Sequence, residues 1–398
     1  MKKSLLAIFG AMVMLMTYSC ESNPLLKEWD TPFGIPPFEE VRPEHYMPAF
    51  LKAMEEHKAE IDAIVNCKEE PNFENTILPY DKAGSLYSKV AVVFSSESGV
   101  NSSDAIMAIS RELSPIQSAH FSEISLNDAL FQKIKAVYDK RESLGLDKDQ
   151  MRLVEEIYKG FERSGANLPA DKKAELKEVN AEISALQLEF GQNLLKETAA
   201  YKLVIDNEKD LAGLSEAQIA EAASRAKAAG MEGKWIFGLD NPSIMPFLQN
   251  AENAELREQM LNAYLMRGNN NNENDSKATI AKLVELRLKK AQIMGCKNYA
   301  EYALDTRMAK TEEAVFDLLD QIWAPALKAA KNERKDMTKI ARKEGFKGEL
   351  KASDWRYYFE KAKVSKFNLT EDELRPYFKL ENVREGIFYV ANQLYGIT

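Results

Sequence analysis

The chain has 398 residues, of which 45% are apolar and 29% charged, and its net charge is −9. That length and apolar share suffice for two or three domains, or for one large helical body with a sizeable core. The acidic balance excludes nucleic acid as the main partner, because phosphate binding wants a basic face.

The first twenty residues read as a targeting segment, separate from the fold. Lys2 and Lys3 form a positive n-region, and Leu5 to Met16 is an apolar run too short to span a bilayer. Ser19 then precedes Cys20, an arrangement that resembles a bacterial lipoprotein signal with Cys20 as the lipidated first residue. Thr17 departs from that pattern, in which Leu is usual three positions before the cysteine; ordinary signal-peptide cleavage is the alternative. The expectation is an exported protein, periplasmic or on the cell surface, held to a bacterial membrane by a lipid anchor. Beyond Cys20 only Cys67 and Cys296 remain, far apart and without a framework of short spacings. Both read as small buried residues, with a disulfide as the minority reading.

Residues 22–43 are proline-rich and loop-like. A first helix follows, with Phe50, Leu51, Met54, Ile61, Ile64 and Val65 on one face and His57 at its polar boundary. The segment 71–76, PNFENT, predicts a turn into a second helix capped by Asn75 or Thr76, whose stripe runs through Leu86, Val90, Val93 and Phe94. Further helices are predicted over 103–119, 126–143 and 147–163. Leu176, Val179, Ile183, Leu186, Phe190 and Leu194 then step by three, four, three, four and four. This is nearly a heptad seam, and its short run favours an intramolecular helical hairpin over a coiled-coil dimer. Alternation at Tyr201, Leu203 and Ile205, and again at Trp235 and Phe237, predicts two short strands. Between them a helix capped by Ser215 runs to Ala229.

The Asn-rich run 267–275 has no glycine spacing for a phosphate and reads as a plain connector. Ile280, Leu283, Val284, Leu288 and Ala291 predict an amphipathic helix ended by Gly295, and Tyr299, Tyr302, Ala303 and Met308 a second. From Val315 the positions Phe316, Leu319, Ile322, Trp323, Leu327, Met337 and Ile340 predict a long amphipathic helix kinked at Pro325. Its basic residues Arg334, Lys335, Lys339, Arg342 and Lys343 read as a solvated face. The aromatic group Trp355, Tyr357 and Tyr358 reads as core before channel lining. A last helix is predicted over 383–394. The fold class is therefore all-α, meaning mostly α with a small β element around 200–240. The expected domains are a signal peptide over 1–20, a helical region with the β element over 21–240, and a further domain over 241–398.

No catalytic constellation accompanies these elements. His45, His57 and His120 are the three histidines, none four residues from another and none followed by Glu. His120 and Glu123, three apart, are a weak candidate metal pair, outweighed by structural roles for all three histidines. A Gly-x-Ser-x-Gly elbow is absent, and nothing marks a Cys–His dyad. The site assignment is thus no catalytic residue and no metal ligand in this chain, with Cys20 as a lipidation site.

One longer pattern is more specific than any of these. Leu286-Arg287, Ala291, Gly295, Asn298-Tyr299-Ala300 and Met308-Ala309-Lys310-Thr311 stand in an order that resembles the zinc metallopeptidase family of thimet oligopeptidase, oligopeptidase A and peptidyl-dipeptidase. Asn241-Pro242, Pro246, Arg257, Tyr264 and Arg267, and the closing Leu374-Arg375-Pro376-Tyr377-Phe378 and Tyr395-Gly396-Ile397-Thr398, fit the same family. The resemblance implies a two-lobed, multi-helix peptidase around a channel, cleaving short oligopeptides or releasing dipeptides. It also implies zinc in the full-length family member, held by His-Glu-x-x-His and a further Glu. This chain carries no such motif, so by the resemblance it is the N-terminal portion, with 241–398 opening a truncated catalytic domain. Alone it is expected to bind no zinc and to hydrolyse nothing. Its expected partners are short peptides, the missing C-terminal catalytic half and a membrane, with no nucleic acid. The rival reading is a catalytically inactive helical lipoprotein with a peptide-binding or scaffold role.

Overall fold

A computed structural model of the chain describes residues 23–397. The expected signal segment and the expected lipidation site Cys20 therefore lie outside the described residues. The chain is 73% helical, well above the helix content of ordinary globular proteins, and one two-stranded sheet is present among the described residues. It divides into two compact units. One comprises the residues up to Gln192 together with Lys277–Glu312, and the other comprises Asn193–Ser276 together with Glu313 onward. The expected boundary at 240 is not where this spatial division falls, because the chain leaves the first unit and re-enters it.

In the first unit, α1 (Pro43–Asn66), α2 (Ser85–Val100) and α3 (Asp104–Ser125) pack around Tyr46, Phe50, Met54, Val90, Val93, Ile106 and Leu113. Leu51, expected on the inner face of α1, is instead 47% exposed. The edge rings Tyr46, Phe50 and Phe94 meet at 4.9–5.6 Å between centroids, close to the edge-to-face geometry such rings prefer. A second cluster, built on Ile61, Ile77, Leu130, Ile134, Val154 and Phe161, joins α1 to α4 (Asp128–Lys140) and α5 (Lys148–Arg163). Local chemistry starts these helices. Ser103 caps α3, Asn127 caps α4, and Asp147 forms a reciprocal box with Gln150 at α5. The PNFENT turn differs from expectation. Asn72 is the cap, accepting from the Asn75 amide at 2.9 Å while the Asn75 side chain accepts from the Asn72 amide at 2.9 Å.

The long helix α6 (Ala170–Ala200) buries Leu176 and Val179, while Ile183, Leu186, Phe190 and Leu194 stay half-buried. Its flank is joined to α10 (Lys277–Ile293) by Glu175–Lys289, Glu182–Lys282 and Glu189–Thr279. The numbers rise along one helix and fall along the other, so the two run antiparallel, as an intramolecular hairpin seam requires. α11 (Tyr299–Leu304), capped by Asn298, follows the αL turn at Gly295, whose φ of 80° suits glycine.

In the second unit, β1 (Leu203–Ile205) and β2 (Trp235–Phe237) pair antiparallel, with Val204 opposite Ile236. α7 (Glu216–Ala228), capped by Ser215 as expected, lies between them in sequence. With α8 (Asn241–Asn250) and α9 (Ala254–Leu265) they enclose Leu203, Ile205, Phe237, Ile244, Phe247, Leu248 and Met260. α12 (Glu312–Lys343) is one 32-residue helix with Pro325 inside it. Its C-terminal part packs Met337 and Ala341 against Tyr357 and Tyr358 of α13 (Ala352–Phe367), so the aromatic group is core. α14 (Leu380–Tyr395) ends the described chain, and no described helix is long and apolar enough to cross a membrane.

Candidate functional site

The histidines that the sequence left apart are partly brought together. His57, on α1, and His120, on α3, bond through Nδ1 and Nε2 at 3.0 Å. Gly84 makes the pairing fit. At φ 75° it lies against the imidazole of His57, and a Cβ there would meet that ring at 2.9 Å. Tyr87 stacks on His120 with centroids 6.0 Å apart, and Phe121 closes an edge. Burial pushes the pKa of His57 below its ordinary value against the pull of Glu60, and burial followed by the neighbouring His57 does the same to His120. One ring nitrogen donates and the other accepts, and burial disfavours a charge on either ring. A separation of 63 residues hides such a pair from any spacing argument; the scarcity of histidine was the only sequence signal.

These side chains do not fit a family zinc site. His57 and His120 occupy one another, and Glu123 is taken by Lys58. His45 Nδ1 accepts from the Arg42 amide at the start of α1. Among the described residues no group of three or more His, Cys, Asp or Glu side chains is placed to hold a metal. Cys67 and Cys296 are both free thiols, half-buried, where the sequence reading had them buried.

Two polar centres organise the second unit. Arg257, 2% exposed, donates to Asp354 Oδ1 at 2.6 Å and to the carbonyls of Ala251 and Glu252 at 2.7 and 3.0 Å. Its guanidinium lies 4.1 Å from the Tyr357 ring, so α9, the turn before it and α13 are clamped by one side chain. Glu197, at the end of α6, accepts from the Gly268 amide at 2.5 Å and from the side-chain amides of Asn270 and Asn272 at 2.9 and 2.6 Å. Burial works against its charge, but these donors outweigh it and hold its pKa below the ordinary carboxylate value. The Asn-rich run is therefore no plain connector: its amides close around a buried acid. The sequence signal was the run itself, without the acid it serves.

A further feature of the second unit is apolar. On the N-terminal half of α12, Phe316, Leu319, Trp323 and Leu327 form one stripe and all are exposed, Trp323 by 66%. On α14, Leu380, Val383, Ile387, Val390 and Leu394 form another, with Ile387 60% exposed. Steps of three and four make each the inward face of an amphipathic helix, yet nothing among the described residues covers them. Contiguous apolar surface of this kind marks an interaction face.

The fold and these centres define a helical protein with one buried ion pair, one buried acid closed in by amides, and two apolar helix faces left uncovered among the described residues. Residues 247–398 match the model of peptidase family M3. Over 378 residues the chain is 35% identical to the dipeptidyl carboxypeptidase of Salmonella typhimurium, covering 95% of this chain and 56% of that protein. It is 36% identical over 376 residues to the dipeptidyl carboxypeptidase of Escherichia coli, covering 94% of this chain and 55% of that protein. To oligopeptidase A of Salmonella typhimurium it is 29% identical over 381 residues, with 95% and 55% covered. The chain belongs to peptidase family M3, and it spans about half the length of the curated relatives it matches.

Proposed function

We propose that this chain is the N-terminal part of a zinc metallopeptidase that cleaves short oligopeptides, as a peptidyl-dipeptidase or oligopeptidase, with the catalytic zinc site supplied by residues outside it. The observation that carries this is the pair of uncovered stripes on α12 and α14. They lie within the family match, and the aligned span is 56% of the Salmonella relative. The natural cover for both is the C-terminal half of the same family fold. The division of labour follows. This chain supplies helical wall and peptide-contacting surface, and the other half supplies ligands and the general base. Similarity to dipeptidyl carboxypeptidases somewhat above that to oligopeptidase A favours dipeptide release. Anchoring through a lipid at Cys20, with the protein facing the periplasm or cell surface, belongs to the same proposal and is supported by Lys2, Lys3 and the apolar run.

The test is complementation. Co-expression of this chain with the part of the Salmonella dipeptidyl carboxypeptidase left outside the alignment, about 44% of it, is expected to give a complex that releases dipeptides from a short fluorogenic peptide and loses this activity to a chelator. A second, cheaper reading is the nucleotide sequence downstream of codon 398, which is expected to continue in frame to His-Glu-x-x-His. No complex in the first and no such frame in the second would leave the inactive helical lipoprotein as the better reading.

A further inference from the structure

A cavity of about 590 Å³ opens within the first unit, between α2, α3, α5, α6, α10 and α11. That volume lies inside the range of small-molecule sites, roughly 300–1,000 Å³. Its chemistry is unlike the rest of the molecule. The chain carries 62 acids, yet no Asp or Glu is among the residues lining this cavity, while Arg163 and Lys290 both are.

The two cations are not equivalent. Arg163 Nη1 donates to the Tyr302 carbonyl and to Asp305 Oδ2, both at 2.9 Å, so its position is fixed and its charge partly answered. Lys290 has no hydrogen-bond acceptor and no ion-pair partner among the described residues; its ammonium lies 5.6 Å from the Tyr302 ring centroid and nothing else answers it. Burial, and then the Arg163 charge, push its pKa below that of an ordinary lysine. This is no general property of α10, since Lys289 and Lys282 both face acids, Glu175 and Glu182. A half-buried ammonium without a partner is costly unless an anion arrives to pair with it. The rest of the lining is uncharged and largely polar. Ser118 and Ser122 on α3 and Asn180 on α6 have side chains with no hydrogen-bond partner among the described residues.

We propose that this cavity is a binding site for a small polar organic oxyanion, whose carboxylate or phosphate sits on Lys290 and whose uncharged body meets Ser118, Ser122 and Asn180. A bare inorganic ion would leave most of the volume to water, and the hydroxyl and amide wall matches an amide- or hydroxyl-bearing body. The inference does not rest on the peptidase reading, because it uses neither zinc nor any residue outside this unit.

Calorimetric titration of the full chain at low salt tests it, with two anions and their neutral counterparts. N-acetylglycylglycine is compared with its C-terminal amide, and glycerol 3-phosphate with glycerol. Saturable binding of at least one anion and of neither neutral compound is expected, and the anion that binds tells a peptide carboxylate from a phosphate monoester. Lys290→Gln is expected to weaken binding about tenfold or more, the worth of one charge-assisted hydrogen bond. Lys289→Gln should leave it unchanged. Should Lys290→Gln fail to fold, Ser118→Leu, which puts a larger side chain into the cavity lining, is expected to abolish binding. Absence of saturable binding by both anions, equal binding by a neutral counterpart, or full affinity in a folded Lys290→Gln or Ser118→Leu variant would overturn the proposal.

Discussion

Arg257 shows how one side chain can be both invisible to function and indispensable to the fold. It is buried with Asp354, and each neutralises the other in a site that water does not reach. Removing one partner strands a buried charge, which typically costs about 3–5 kcal/mol. Arg257→Met is therefore expected to lower the melting temperature sharply, and Arg257→Met with Asp354→Leu to recover much of the loss. A double variant no better than the single would show that the backbone clamp on Ala251 and Glu252, not the ion pair, is what matters. The His57–His120 pair makes a pH-dependent prediction of opposite character. Both pKa values are lowered in the folded state, so the unfolded chain takes up protons first as pH falls below about 6.5. Stability contributed by the neutral pair is then fully present above that pH and lost as pH falls toward the depressed folded values. Glu60, Lys58, Glu123 and Tyr87 face the pair, and the Lys58 ammonium bonded to Glu123 holds that carboxyl below its ordinary pKa. Denaturation midpoints between pH 7.5 and 5.5 should fall for the natural chain and fall less for His120→Gln. Parallel slopes for the two would assign the pH dependence to other groups.

Among the elements, α12 is divided along its length. Its C-terminal turns bury Met337 and Ala341 against α13, while its N-terminal turns expose Phe316, Leu319 and Trp323. The hydrophobic period is the same in both parts; only the first lacks a partner among the described residues. α14 repeats this over its whole length, with no buried residue. Uncovered faces of this kind make a chain self-associate in water. The chain as it stands is expected to be oligomeric by light scattering and to bind a hydrophobic dye. Trp323→Glu with Ile387→Glu should reduce both without lowering the melting temperature, since neither side chain supports the core. A drop in melting temperature with unchanged association would mean that these faces are packed in solution.

At the scale of the whole molecule, zinc is the discriminating measurement. The described residues gather no group of three or more donors, and a catalytic zinc needs three protein ligands and an open position. Metal analysis of the purified chain is expected to give no stoichiometric zinc, with no chelator-sensitive cleavage of a short peptide. One zinc per chain would place a site where no three donors are gathered in the folded chain.

The sequence by itself determined the helices, the two strands, the caps at Ser215 and Gly295, the core role of Tyr357 and Tyr358, and the family. These are consequences of local periodicity, cap chemistry and the order of residues along a line, all of which the string contains. It misplaced Leu51, the cap of the PNFENT turn and the role of the Asn-rich loop, and it could not pair His57 with His120, Arg257 with Asp354 or Glu197 with Asn272. Those partners are separated by long stretches of chain, and nothing local says which will meet. The tertiary structure alone decided which apolar stripes are covered and which are bare, because a stripe has the same period whether or not a partner lies against it. It alone left Lys290 without an acid while its neighbour Lys289 gained one, since the two differ only in which way a turn of α10 points them.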